Sequence, residues 1–163
     1  MSEVLTHVET SQQQPDAKSY TGNVITLGMS PIFSKSSKQK SNTKSSCEAE
    51  ILALSDIVST IAWINDFLKE IGVHLDPPLL LEDNRATILL VTNGPSSAGR
   101  VRHVHIRNAF VNQFLTDGSM TIMFCPTTEM IADILTKPLP PPIYNILRKL
   151  LLGYEIHVFP EQG

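Results

Sequence analysis

The sequence predicts an α/β domain, a mixed β-sheet with helices packed on its faces. Three observations carry that expectation. A β-prone hairpin pattern over residues 20–34 is followed by one long amphipathic helix over 46–71. The aliphatic run Leu79-Leu80-Leu81 has the character of a strand buried on both faces of a parallel sheet. Beyond it helical and strand patterns alternate, and 163 residues suffice for one domain with a real core.

Residues 1–19 are polar and weakly patterned, with residues 4–8 a weak strand candidate. Residues 20–27 are β-prone, Gly28-Met29-Ser30-Pro31 reads as a turn, and Ile32-Phe33-Ser34 begins the return strand. A basic Ser/Lys loop is expected next. Ser45 with Glu48 forms a capping box at the start of the long helix. Leu54, Ile57, Ile61, Ile64 and Leu68 make its buried stripe, and Gly72 ends it.

After the 79–81 strand, residues 86–91 are helical until Asn93-Gly94-Pro95. Ile106, Phe110, Val111 and Phe114 mark another amphipathic helix, Asp117-Gly118 a turn, and residues 120–125 a strand. Thr127 or Thr128 can cap a helix carrying Ile131, Ile134 and Leu135. A proline-rich linker over 138–142 leads to a last short helix at 143–152. The expected division is an N-terminal segment 1–19, a main domain 20–137, and a linker, helix and tail over 138–163.

Composition narrows the function classes. Apolar residues make up 42% of the chain and mean hydropathy is +0.01. The longest aliphatic runs are three or four residues, so no segment is expected to span a bilayer. The polar N-terminus has no secretory pattern. Cys47 and Cys125 make no disulfide framework and lack zinc-site spacing, which fits free thiols in an intracellular compartment, cytoplasm or nucleus. Net charge is −3, against an overall basic nucleic-acid binder. Yet seven of the 13 basic residues fall in two short segments. Lys35, Lys38, Lys40 and Lys44 form one, and Arg100, Arg102 and Arg107 the other, and both could meet phosphates.

Three carboxylates sit where an α/β domain could build a metal site. Glu50 lies in phase with the buried stripe, where a charge is costly unless paired or bound to metal. Asp83 ends the aliphatic strand, the edge at which open α/β sheets bind ligands, or else caps the next helix. Asp133 sits early in a helix, where a favourable dipole interaction is the simpler account. Carboxylates converging from separate elements can hold Mg²⁺, a hard cation that takes oxygen ligands. The chain has no nucleophile elbow, phosphate-binding glycine loop or His-Glu-x-x-His segment.

Several ordered segments sharpen this reading. They are Lys18-Ser19-Tyr20-Thr21-Gly22, Ser34-Lys35-Ser36-Ser37-Lys38-Gln39, Ser45-Ser46-Cys47-Glu48-Ala49-Glu50 and Trp63-Ile64-Asn65-Asp66-Phe67-Leu68. Asp83-Asn84, Arg102-His103-Val104-His105-Ile106-Arg107 and Ala132-Asp133-Ile134-Leu135-Thr136-Lys137-Pro138-Leu139 complete the series. In this order they resemble the ribonuclease H domain of copia-type LTR retrotransposon Pol polyproteins. The resemblance implies a ribonuclease H-like fold, a five-stranded mixed sheet flanked by helices. It implies hydrolysis of RNA in RNA–DNA hybrids, with Glu50, Asp83 and Asp133 as catalytic residues and ligands of two Mg²⁺ ions, or Mn²⁺. It also implies a place within a longer reverse-transcriptase polyprotein.

The family carries an Asp-x-Asp segment on its first strand. Counting back from Gly22, His7 stands at the first of these positions and Glu9 at the second, which makes Glu9 the nearby candidate for a further metal ligand. Ala109 replaces a histidine of the family pattern, and Met130 a glutamine. The alternative is a catalytically inactive nucleic-acid-binding or protein-interaction module on the same fold.

Overall fold

A computed structural model describes residues 4–12, 19–28, 30–39, 46–94 and 102–154. Five strands form one mixed sheet: β1 (Val4–Gln12), β2 (Ser19–Leu27), β3 (Ser30–Lys38), β4 (Leu79–Glu82) and β5 (Thr121–Phe124), in spatial order β3-β2-β1-β4-β5. β1–β2 and β2–β3 are antiparallel, whereas β4 is parallel to both β1 and β5. The helices are α1 (Ser46–Glu70), α2 (Arg85–Thr92), α3 (Arg102–Thr116) and α4 (Pro141–Leu151). The mixed five-stranded sheet with flanking helices is the architecture expected.

The weakly patterned segment near the N-terminus forms the central strand. Val4 and Val8 pack with α1, and on the other sheet face His7 lies beneath the turn that holds Ile131. Its alternation was hard to read because polar Thr6, His7 and Glu9 are all buried. β3 runs through Lys38, so Lys35 and Lys38 lie on an edge strand rather than in the expected loop. Edge position also accommodates Pro31, beside an irregularity in register at Ile25/Thr26.

The core has two parts. On one face α1 lays Ile51, Leu54, Ile57, Val58 and Ile61 against Val8, Ile25 and Leu80, with Val104 and Val111 of α3 behind. The other holds Val24, Leu81, Cys125, Met130 and Ile131. α1 ends as expected: Gly72 takes φ +82°, and the Val73 amide donates to the Leu68 carbonyl at 2.8 Å. Ser45, half of the expected capping box, lies outside the described residues.

Two expectations need correction. The 25-residue α1 is long and apolar enough, by length and composition alone, to cross a membrane. Its apolar residues do not form one run, and the helix instead buries Leu54, Ile57 and Ile61 in the domain and carries an exposed Trp63–Phe67 stack outside. Asp133 is not in an α-helix. Residues Thr127–Glu129 and Ile131–Leu135 form two short 3-10 turns, and no side chain caps either.

Candidate metal centre

Strand register builds the site. β1 and β4 run parallel with Val8 opposite Glu82, so the next residues, Glu9 and Asp83, lie side by side where that pairing ends, at the carboxyl end of β4. This is the sheet edge at which α/β folds bind ligands. Glu50, in the first turns of α1, reaches the same edge, and its Oε1 accepts from the Thr10 amide at 3.1 Å and from the Thr10 hydroxyl. One oxygen each from Glu9, Glu50 and Asp83 lies within 4.8 Å of the others.

Asp83 is free for this role because Asn84 caps α2, its side chain accepting from the Ala86 and Thr87 amides. The capping alternative for Asp83 is therefore excluded. The Thr127 hydroxyl donates to Asp83 Oδ2 at 3.2 Å and holds the carboxylate from the side. Asn84 also reaches Cys47 Sγ at 3.7 Å, tying the start of α1 to the end of β4.

Asp133 joins through a lysine. Lys137 Nζ lies 2.9 Å from Glu9 Oε1 and 2.9 Å from Asp133 Oδ1. His7 sits two residues inward from Glu9 on the same strand face, where its Nδ1 accepts from the Ile131 amide at 3.3 Å. Glu9, not His7, therefore supplies the first-strand carboxylate at the cluster.

The charges are poorly compensated. Glu9, Glu50 and Asp133 are buried, and burial raises each pKa by penalising the charged form. Repulsion from Asp83 adds to this, and Glu9 is pushed up to about 8 although Lys137 pulls it down. Glu50 is raised well above the carboxylate range, by burial first and then by Glu9. Among the described residues, Glu9 Oε2 and Glu50 Oε2 are buried without a hydrogen-bond partner. Buried oxygens without donors are rare, and a cation satisfies them. Opposite ligands on Mg²⁺ stand about 4 Å apart, given bonds near 2.1 Å, so the cluster is close to the size such an ion needs.

Sequence reasoning missed Glu82. It is fully buried beside Glu50, its Oε1 accepts from the Asn84 amide at 3.1 Å, and its pKa is raised well above the usual range, mainly by burial and then by Glu50. Lys137 was also passed over, although its four-residue spacing from Asp133 suggests an ion pair.

The two basic segments meet. Asn23, Lys35, Lys38 and Gln39 face His103 and Arg107 across a cleft of about 480 Å³ between β2–β3 and α3. Arg107 pairs with Asp56, so part of its charge is already balanced. Arg102 is exposed at the start of α3. Lys40, Lys44 and Arg100 lie outside the described residues.

The fold and the carboxylate cluster together define a ribonuclease H-like domain. LC11-RNase H1, isolated from compost by a metagenomic approach, superposes with TM-score 0.61 at 13% identity, over 83% of this chain and 94% of that one. The foamy viral protease–reverse transcriptase gives TM-score 0.56 at 14% identity, over 83% of this chain and 19% of that one. No family model matches. Among curated proteins, the Pol polyprotein from transposon RE2 of Arabidopsis thaliana is 34% identical over 125 residues, 76% of this chain. That from transposon TNT 1-94 of Nicotiana tabacum is 29% identical over 134 residues, 82% of this chain. The chain spans only 8% and 10% of these relatives' lengths. With copia-type Pol polyproteins as sequence relatives and ribonuclease H domains as structural neighbours, the chain is a ribonuclease H-like domain of the retrotransposon Pol kind.

Proposed function

We propose that this domain hydrolyses the RNA strand of RNA–DNA hybrids, with divalent cation held by Glu9, Glu50 and Asp83. The observation that carries this reading is the convergence of those three carboxylates within 4.8 Å, with buried oxygens of Glu9 and Glu50 left without donors. A Mg²⁺ or Mn²⁺ ion there would supply an activated water and stabilise the leaving oxygen of a phosphodiester. The chain's own residues fix the geometry. Thr10 orients Glu50, Thr127 orients Asp83, and the paired ends of β1 and β4 set Glu9 beside Asp83.

Lys35, Lys38 and His103 line the cleft and would meet backbone phosphates. Two structural neighbours support a hybrid as substrate. LC11-RNase H1 and the foamy viral protease–reverse transcriptase were each solved in complex with RNA/DNA hybrid. By the same analogy, the domain acts as part of a longer Pol polyprotein.

The test is cleavage of an end-labelled RNA–DNA hybrid by the full chain with Mg²⁺ and with Mn²⁺. Wild type should cleave. Replacing residues that merely support metal ligands typically costs 10–100-fold, so Asp83→Asn and Glu50→Gln should lose more than about 100-fold. Background activity unchanged in both variants contradicts the reading. A hybrid-binding domain without cleavage is the second reading. It is favoured by Lys137, whose ammonium already contacts Glu9 and Asp133. Salt-dependent binding without cleavage would select it.

A further inference from the structure

We propose that Lys137 is a built-in cation of the carboxylate site, so that the chain takes up one divalent ion rather than two. This inference rests on the metal-binding reading above and specifies its stoichiometry. In two-metal phosphodiesterase sites the ions stand about 3.5–4 Å apart and carboxylates are shared between them. Here one shared partner is already an ammonium. Lys137 Nζ contacts Glu9 Oε1 and Asp133 Oδ1, both at 2.9 Å. Glu9 Oε2 has no hydrogen-bond partner among the described residues and belongs to the carboxylate that clusters with Glu50 and Asp83. Glu9 thus bridges a lysine on one oxygen and offers the other to an ion.

The lysine is well anchored. Its side chain is 22% exposed, and its partners Glu9 and Asp133 are 5% and 2% exposed, so water competes weakly for the pair. The Lys137 amide also donates to the Asp133 carbonyl at 3.1 Å, which fixes the base of the side chain beside its partner. The position of the lysine favours one ion. Lys137 Nζ stands between Glu9 Oε1 and Asp133 Oδ1, so a second ion shared by those two carboxylates would have to expel the ammonium and leave its charge without partners.

The chemistry follows from the difference between the two cations. An ammonium is a compact point charge that stabilises negative charge but does not activate water as a metal does. The water-activating ion therefore belongs at Glu9–Glu50–Asp83, and Lys137 balances charge on the Asp133 side.

Calorimetric titration of the full chain with MnCl₂ tests this. Wild type should bind one equivalent, Lys137→Arg one, and Lys137→Met two. Adding Asp133→Asn to Lys137→Met should return the count to one. Two equivalents in wild type, or one in a folded Lys137→Met, overturns the proposal and leaves the metal site standing. No binding by wild type overturns the proposal and the metal reading together. If Lys137→Met fails to fold, the wild-type count and Lys137→Gln decide between the same outcomes.

Discussion

Glu9 is the residue on which the site turns. Its carboxyl is pushed up to about 8, first by burial and then by Asp83. The folded chain therefore holds this proton more tightly than the unfolded chain, whose glutamates titrate near 4.5. Stability from this group is complete below the unfolded value and is lost as pH rises through about 8. Melting temperature measured in EDTA should fall between pH 6 and 8, and added Mn²⁺ should reverse the trend because it replaces protons. A rising melting temperature without metal would contradict the assignment. Glu82 gives a second residue-scale prediction. Glu82→Gln keeps the oxygen that accepts from the Asn84 amide and removes a carboxyl that burial and Glu50 disfavour in its charged form, so at pH 8 it should stabilise the metal-free protein. Denaturant unfolding measures this, and destabilisation would count against a strained carboxylate there. Cys125 is buried and its thiol is pushed up to about 12, whereas Cys47 is half-buried, so a thiol reagent should label Cys47 alone in the native chain. Glu50 was legible because it shares the phase of an apolar helix stripe. Glu82 was missed because β4 buries both faces and leaves no alternation to break.

At the scale of elements, the site depends on how closely β2 approaches the turn that carries Asp133. A Cβ on Gly22 would stand 2.7 Å from the Ala132 carbonyl oxygen and 2.7 Å from Thr136 Cγ2. The Ser36 hydroxyl donates to the Leu135 carbonyl at 2.7 Å and holds β3 to the same turn. Gly22→Ala must push this turn outward. It should cost roughly 1–3 kcal/mol, the usual range for overpacking. Denaturant unfolding checks this, and an unperturbed protein would show that the turn yields freely. The hairpin, α1 and the buried parallel strand were readable because each carries a clean period. β1 was readable only as a weak strand candidate over residues 4–8, since buried polar Thr6, His7 and Glu9 blur its alternation. The 3-10 turns were mistaken for a capped helix because Ile131, Ile134 and Leu135 have helical spacing over a segment of only five residues.

On the scale of the molecule, a net charge of −3 conceals a basic cleft and an acidic sheet edge. On the proposed function, the cleft grips the backbone of a hybrid while one phosphodiester meets the metal. Lys35→Ala should weaken hybrid binding uniformly across sequences and reduce the slope of log affinity against log salt by about 1. An unchanged slope would place the phosphates elsewhere. The mixed-sheet architecture was legible because the order of elements permits few alternatives. The meeting of residues 35–38 with residues 103–107 was not, because strand order and helix packing create it and neither segment encodes the other. The most direct test of the whole account is anomalous diffraction from crystals soaked in MnCl₂. The account predicts a manganese peak bounded by carboxylate oxygens of Glu9, Glu50 and Asp83. Well-ordered side chains at those positions with no peak between them would contradict it.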